Sequence, residues 1–387
     1  MKIGLFTDSF YPEVGGVATS CYNLERALTR LGHEVQVYAP RCKGWKEQER
    51  PNVHYLTSRP LLILKDRNVA IPHIKPLHEA INAKFDVVHT NSEFVMGYMG
   101  RYVAHHSHCA LVHTYHTVWE DYTYYVTHGV ADETARRIVA RYSEWWCDHF
   151  GRIIVPTAKT QALLARYGVT APMDVIPSGM DLERFDPARH SAAEIAATRA
   201  ECGVKPGERV LLNIGRMAKE KNLVRIMDLF PALLQECPDV RLVLVGEGPQ
   251  RQVLSQRAAE LGVAEHVSIV GAKPWEEIDK YYAIGDVFVS ASHTETQGLT
   301  YIEAMASGLC VCAARDPCLF GVIEDGVNGI LSGDSDMELL ACLQMAFSPM
   351  GKRIAQQAIS AAQPFGLEAF GKRVEACYLR AMERHGN

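Results

Sequence analysis

The stretch "ETQGLTYIE", Glu295 to Glu303, sets one carboxylate before a glycine and a second about one helical turn after it. Leu299, Ile302 and Ala306 recur at helical spacing, so a helix is predicted to begin near Leu299, with Gly298 supplying the tight entry. The backbone N–H groups of Gly298 and Leu299 would then point outward at a helix N-terminus, a place for phosphate. With a rise of about 1.5 Å per residue, Glu303 lies roughly 6 Å further along the axis, and Glu295 stands on the opposite side in the loop. A ligand suited to that spacing has a diphosphate in the middle and a hydroxyl-bearing group at each end, which describes a nucleotide sugar. The plainer alternative is a pair of solvated glutamates in an ordinary strand, loop and helix unit.

A second stretch, "GRMAKEKN", offers Arg216 and Lys221 just after a strand. Arginine gives a planar bidentate fork and lysine a mobile point charge, a pair suited to the two charges of a diphosphate leaving group, the alternative being a solvated basic turn. "VGEGPQ" lacks the third glycine of the dinucleotide fingerprint, so it gives little support to an NAD site. The acidic triplet Asp334 to Asp336 resembles a divalent-metal site, but it immediately precedes the helical "MELLACLQMAF", where Ser and Asp are expected as caps. Cys310, Cys312 and Cys318 lie on and after a strand and are assigned to the core rather than to metal. The histidines His105, His106 and His108 of "HHSH" have no regular ligand spacing and are expected in a polar loop.

The elements that must position these groups alternate along the chain. Short runs such as "IGLFT", "EVQVYA", "DVVHT", "LVHT", "RIIVP" and "DVIPSG" are separated by helical patterns, and the alternation restarts with "RVLLNIG", "VRLVLVG", "HVSIVG", "DVFVSA" and "LCVCAA". That is the pattern of two doubly wound α/β domains with parallel sheets. The expected division is a domain over 1–180, a second over 200–365, and a final helical segment over 366–387, with the active site in a cleft between the two domains. At 387 residues the chain is long enough for two cores, and its net charge of -5 argues against a nucleic-acid partner. Eleven cysteines without a C-x-x-C read as reduced thiols. No apolar run reaches about 18 residues and the N-terminus lacks a signal-peptide core, so the expected location is cytoplasmic, on a membrane at most by its surface.

Together these stretches resemble the family 4 retaining glycosyltransferases of the GT-B fold over nearly the whole chain. "PEVGGVATS" is similar to their N-terminal glycine loop, "HTYHT" to their His-bearing strand end, and "VIPSGMD" to their interdomain segment, with Ser178 in place of Asn. "GRMAKEKN" is similar to their phosphate clamp and "ETQGLTYIE" to their E-x7-E motif. The resemblance implies that Gly15 and Gly16 approach the donor and that Arg216 and Lys221 hold the diphosphate. It implies that Gly298 and Leu299 border the phosphate, that Glu295 holds the sugar hydroxyls and Glu303 the ribose, and that His116 hydrogen-bonds the transferred sugar. It also implies that the last helix returns to the N-terminal domain. The reaction would be front-face substitution with retention, requiring no metal or other cofactor, the departing phosphate taking the acceptor's proton. Asp8 and Asp121 remain open as further catalytic carboxylates.

The acceptor would be read by the N-terminal domain. "VHTYHTVWEDYTYYVTHG" resembles the bacterial 1,2-diacylglycerol 3-α-glucosyltransferases, with Trp119 where they have a tyrosine. Between Arg41 and Arg67, seven basic residues surround "PLLIL", a mixture suited to an anionic membrane surface, the alternative being a solvated loop with an apolar anchor. Trp145 and Trp146 are either interfacial anchors or core. The implied partners are UDP-glucose or UDP-galactose, a diacylglycerol acceptor and the inner face of the plasma membrane. Two alternatives stand beside this. One is the same chemistry on a soluble or polysaccharide-precursor acceptor with a UDP- or GDP-sugar, and the other is a nucleotide-sugar-binding protein without catalysis.

Overall fold

Runs rich in Val, Ile and Leu become strands buried on both faces, as a parallel sheet covered by helices requires. In the computed structural model the described residues are all but 14, 43–49, 61–67, 72–73, 117–118, 120–131, 294, 296 and 386–387. The chain divides into two compact units, Met1–Met180 with Phe365–Asn387, and Asp181–Pro364. Residues 181–199, left between the domains by the sequence reading, belong to the second unit.

The first unit contains β1 (Lys2–Phe6), β2 (Glu34–Pro40), β3 (Val53–Leu56), β4 (Ser58–Pro60), β5 (Asn68–Ala70), β6 (Val87–Thr90), β7 (Ala110–Thr114), β8 (Arg152–Val155) and β9 (Met173–Val175). Seven of these form one parallel sheet in the order β3-β2-β1-β6-β7-β8-β9, and β4 and β5 pair as an antiparallel ribbon. The second unit contains β10 (Arg209–Ile214), β11 (Val240–Val245), β12 (Val267–Gly271), β13 (Val287–Ser290), β14 (Cys310–Ala314) and β15 (Ile330–Ser332), in the order β12-β11-β10-β13-β14-β15. In each sheet the winding reverses once, between β1 and β6 and between β10 and β13. Ligands bind at the carboxyl ends of the strands at such points.

The alternation of side chains sorts the two faces of the first sheet. Ile3 and Leu5 join Val35, Val37, Val87 and Val112 in a core closed by the helices Gly16–Arg30 and Leu367–His385. Phe6 and Val88 face the other way, against Met96, Met99 and Val103 of the helix Val95–Ser107. On the helix Gly16–Arg30, Cys21, Leu24, Ala27 and Leu28 recur at the spacing that makes one apolar face. The final helix lies on that face closely enough that a Cβ at Gly371 would come within 3.2 Å of the Ala27 carbonyl oxygen. The expectation of a polar loop at "HHSH" is corrected. The periodic Met96, Met99 and Val103 carry the helix through His105 and His106, and His108 is its left-handed C-cap at φ 50°.

One polar link runs through this core. His89 of β6 is fully buried, with Nδ1 2.7 Å from the Tyr378 hydroxyl and Nε2 2.7 Å from Thr114 Oγ1. Burial, with the neighbouring His113 and His116, holds its pKa well below the usual imidazole range, so the ring is neutral and both nitrogens need partners. Tyr378→Phe leaves one of those nitrogens unmet in the core, and should lower the unfolding free energy of the first unit by about 1–3 kcal/mol. The check is the urea midpoint followed by near-ultraviolet circular dichroism; a wild-type midpoint in the variant would show that the bond contributes nothing.

Candidate active site

In the second unit β10 ends at Ile214, and Gly215 and Arg216 follow directly on its carboxyl end, with the Arg216 side chain exposed to solvent. A short turn, Lys219–Lys221, then leads through left-handed Asn222, φ 53°, into the helix Leu223–Glu236. From across the reversal point, the loop after β13 brings Glu295 to the same place, and Lys221 Nζ donates a hydrogen bond to Glu295 Oε1. Both side chains keep some exposure, 29% and 15%.

The helix Leu299–Ala306 starts where the sequence predicts it. Gly298 caps it in the left-handed region, φ 72°, and a Cβ there would collide with the Tyr301 ring, so glycine is required on both counts. Tyr301 in turn donates from its hydroxyl to Ser290 Oγ, 2.8 Å, tying the first turn of the helix to the end of β13. Glu303 sits one turn further on and is only 9% exposed. Its Oε2 accepts a 2.6 Å hydrogen bond from the Tyr282 hydroxyl on the helix Ile278–Ala283. Burial raises the Glu303 pKa, while the Tyr282 hydrogen bond and the charge of Arg184 act against that rise. Arg184 is itself fixed, its guanidinium 4.0 Å from the Trp275 ring centroid and 3.0 Å from Asp279 Oδ1.

Tyr282 and Arg184 were missed by the sequence reading. Neither stands in a recognisable motif, and each acts through a contact that only folding creates.

In the first unit, Gly16 opens the helix that follows β1, and a Cβ at Gly15 or Gly16 would meet nothing within 4 Å. Asp8, just past β1, accepts hydrogen bonds from Ser92 Oγ at 2.6 Å and from the Met96 N–H at 3.3 Å. Burial nevertheless pushes its pKa up to about 6, with Glu93 and Glu13 adding to the rise. His116 follows β7, and its Nε2 lies 3.0 Å from Asn91 Oδ1 at the end of β6. Burial and then His113 push the His116 pKa down to about 3, so the imidazole is neutral at physiological pH. Asp121 lies outside the described residues.

The acidic triplet serves the fold. Ser335 caps the helix Asp336–Ala346 in a capping box with Glu338, and Arg225 donates to Asp336 Oδ1, 2.7 Å, and to the Asp334 carbonyl oxygen, 2.7 Å. Cys310 and Cys312 are buried in β14, and all eleven cysteines are free thiols. Among the described residues no group of three His, Cys, Asp or Glu side chains is arranged to hold a metal ion, and no helix is long and apolar enough to cross a membrane.

Much of the basic stretch between Arg41 and Arg67 lies outside the described residues. Arg50, which is described, is tied to its own unit, 2.7 Å from Glu25 and 4.7 Å above the Tyr22 ring. Trp146 is fully buried and Trp145 is 47% exposed. An aromatic groove of about 540 Å³ is lined by Phe94, Tyr98, Met99, Tyr102 and Tyr142, the last with its ring 5.9 Å from that of Trp145. Phe94 also meets the Trp119 ring edge-on at 5.3 Å.

The description Glycosyltransferase Family 4 matches residues 14–184, and Glycosyl transferases group 1 matches residues 194–344. The chain is 33% identical to an alpha-monoglucosyldiacylglycerol synthase of Streptococcus pneumoniae, over 99% of this chain and 86% of that one. It is 29% identical to the alpha-monoglucosyldiacylglycerol synthase of Acholeplasma laidlawii, over 100% and 98%. Among solved structures it resembles the Anabaena protein HepE in complex with UDP, at a TM-score of 0.76, 21% identity and coverage of 97% and 99%. These likenesses and the two parallel sheets give the fold as GT-B.

The raised pKa of Asp8 has a testable sign. A carboxyl that binds its proton more tightly when folded stabilises the native state below the unfolded pKa, and that contribution is lost as pH rises through about 6. Urea midpoints of the wild type should therefore decline between about pH 4 and pH 6 relative to Asp8→Asn, which lacks the group. Parallel curves for the two proteins would rule out an Asp8 that is protonated near pH 6.

Proposed function

Because the chain belongs to family 4 of the glycosyltransferases, enzymes that transfer sugars from nucleotide-sugar donors, we propose that it moves a hexose, glucose or galactose, from its UDP derivative to the 3-hydroxyl of diacylglycerol with retention at the anomeric carbon. The observation that carries the donor half is the meeting of Lys221 with Glu295 beside the N-terminus of a helix that also bears buried Glu303. Cation, helix terminus and two carboxylates are the partners that a diphosphate flanked by two polyols needs. HepE, of the same fold, has been crystallised in complex with UDP-glucose, which supports the choice of donor class. The acceptor half rests on the two alpha-monoglucosyldiacylglycerol synthase relatives, matched over 86% and 98% of their lengths, and is supported by the aromatic groove of the first unit.

In this reading Arg216 and Lys221 neutralise the leaving diphosphate together with the N–H groups of Gly298 and Leu299, and no metal is required. Lys221, paired with Glu295, divides its charge between that carboxylate and the phosphate when the donor is bound. Glu295 takes the sugar hydroxyls. Glu303, with one oxygen occupied by Tyr282, uses the other for the ribose. Gly15 and Gly16 leave room for the donor, because neither has a side chain to obstruct it. His116, being neutral, contacts the transferred sugar without adding a positive charge near a carbon that itself becomes positive. The enzyme would work at the inner face of the plasma membrane, held peripherally on anionic lipid.

The direct test supplies UDP-glucose, UDP-galactose and GDP-mannose with vesicles containing diacylglycerol, in EDTA, and reads the lipid by mass spectrometry and the anomeric proton by NMR. An α-linked hexosyl-diacylglycerol from a UDP-sugar is expected. A β-linked product would overturn retention, strict dependence on added Mg2+ or Mn2+ would overturn the metal-free clamp, and transfer only to a water-soluble acceptor would overturn the lipid.

The two carboxylates should also fail in different ways. Glu303→Gln can still accept the Tyr282 hydrogen bond but loses charge at the ribose, so UDP affinity should fall about 10-fold while turnover at saturation changes little. Glu295→Gln should lower turnover roughly 100-fold with UDP affinity nearly intact. Calorimetry with UDP and steady-state kinetics separate the two, and equal loss of UDP binding in both variants would refute the division of roles.

A further inference from the structure

His116 and Asn91 meet where β6 and β7 end, and their chemistry is more restricted than that of either residue alone. The Asn91 backbone is fixed, its N–H donating to the Phe6 carbonyl oxygen at 2.8 Å. The residues after it are held as well: Ser92 donates to Asp8, 2.6 Å, and the Tyr142 hydroxyl donates to the Glu93 carbonyl oxygen, 2.7 Å. Asn91 as a whole is 3% exposed. Its Oδ1 faces His116 Nε2 at 3.0 Å, while its Nδ2 is buried and finds no acceptor among the described residues.

An amide oxygen only accepts, so the proton of the imidazole must be on Nε2. Nδ1 is then an open lone pair, and His116 has no other hydrogen bond among the described residues. Nδ1 therefore offers acceptance, and Asn91 Nδ2 offers donation. A hydroxyl both donates and accepts, so a polyol with neighbouring hydroxyls is one class of ligand that can meet both, and an unpartnered buried amide N–H costs free energy until something polar meets it.

Resting on the reading of His116 as a contact to the transferred sugar, we propose that Asn91 is its positioning residue: Oδ1 holds the imidazole as the Nε2–H tautomer, so that Nδ1 accepts from a sugar hydroxyl, and Nδ2 waits for a neighbouring sugar oxygen. The amide thus sets which atom of His116 faces the ligand. The low proton affinity of His116 keeps the ring from taking a second proton and losing that acceptor.

The tautomer is read directly by long-range 1H–15N correlation on protein labelled with 15N-histidine, the His116 signals being assigned by their loss in His116→Gln. The wild type should show Nε2–H with a bare Nδ1. Asn91→Ala should give a mixture of tautomers, and Asn91→Asp, which keeps the accepting oxygen, should restore Nε2–H. Both Asn91 variants should lose roughly 10-fold or more in turnover with UDP affinity within about 2-fold, because the alanine loses the orienting oxygen and the aspartate loses the N–H donor. A wild-type Nδ1–H tautomer, an Asn91→Ala spectrum like the wild type, or full turnover in either variant would overturn the proposal. The wild-type spectrum needs no variant to fold and no substrate to be known. If the tautomers behave as stated and no sugar is transferred from any donor, the transferase reading fails while the tautomer assignment stands.

Discussion

A parallel sheet wound in both directions must reverse once, and at the reversal the loops of two adjacent strands part instead of being covered by one crossover. Each sheet of this protein uses that gap in the same manner. The loops after β10 and β13 bring Lys221 to Glu295, and those after β1 and β6 bring Asp8 to Ser92, while the loop after β7 sets His116 against Asn91. None of these groups is adjacent in sequence to its partner. What holds them is the register of strands whose side chains are mostly apolar and buried.

The same gap gives chemically identical groups different properties. Glu295 keeps a cation and partial exposure, whereas Glu303 is buried with a neutral phenol as its partner, and its pKa is raised by desolvation. Asp8, a third carboxylate, is pushed up to about 6 by burial despite two hydrogen bonds. Histidines divide in a similar way. His89 is locked into the core through Tyr378 and Thr114, and His116, just past the end of the neighbouring strand β7, keeps one nitrogen unpartnered among the described residues.

The α/β class, the parallel strands and the helix beginning at Leu299 were legible because they rest on periodicity and on a glycine whose conformation nothing else adopts cheaply. The cap at Ser335 was legible for a local reason too, the serine and Glu338 being three residues apart. β3, β4, β5 and β15 were not seen, for they are three or four residues long and carry few apolar positions to repeat. The ion pair of Lys221 with Glu295 spans 74 residues, and the Tyr282 bond to Glu303 joins two short helices. No spacing rule reaches such partners. "HHSH" misled because a polar helix end and a polar loop have the same composition, and only the apolar face upstream distinguishes them.

The final helix gives the chain an unusual order of assembly. Leu367–His385 supplies Phe370, Val374, Cys377, Tyr378 and Ala381 to the core of the first unit, although residues 181–364 intervene. During synthesis the second unit emerges whole while the first still lacks one wall. The N-terminal half must therefore wait, with the apolar face of Gly16–Arg30 uncovered, until Leu367–His385 has been made. For that interval it presents an apolar surface of the kind nascent-chain chaperones bind, and a chain cut off between Pro364 and Leu367 would carry a complete second unit beside an unfinished first.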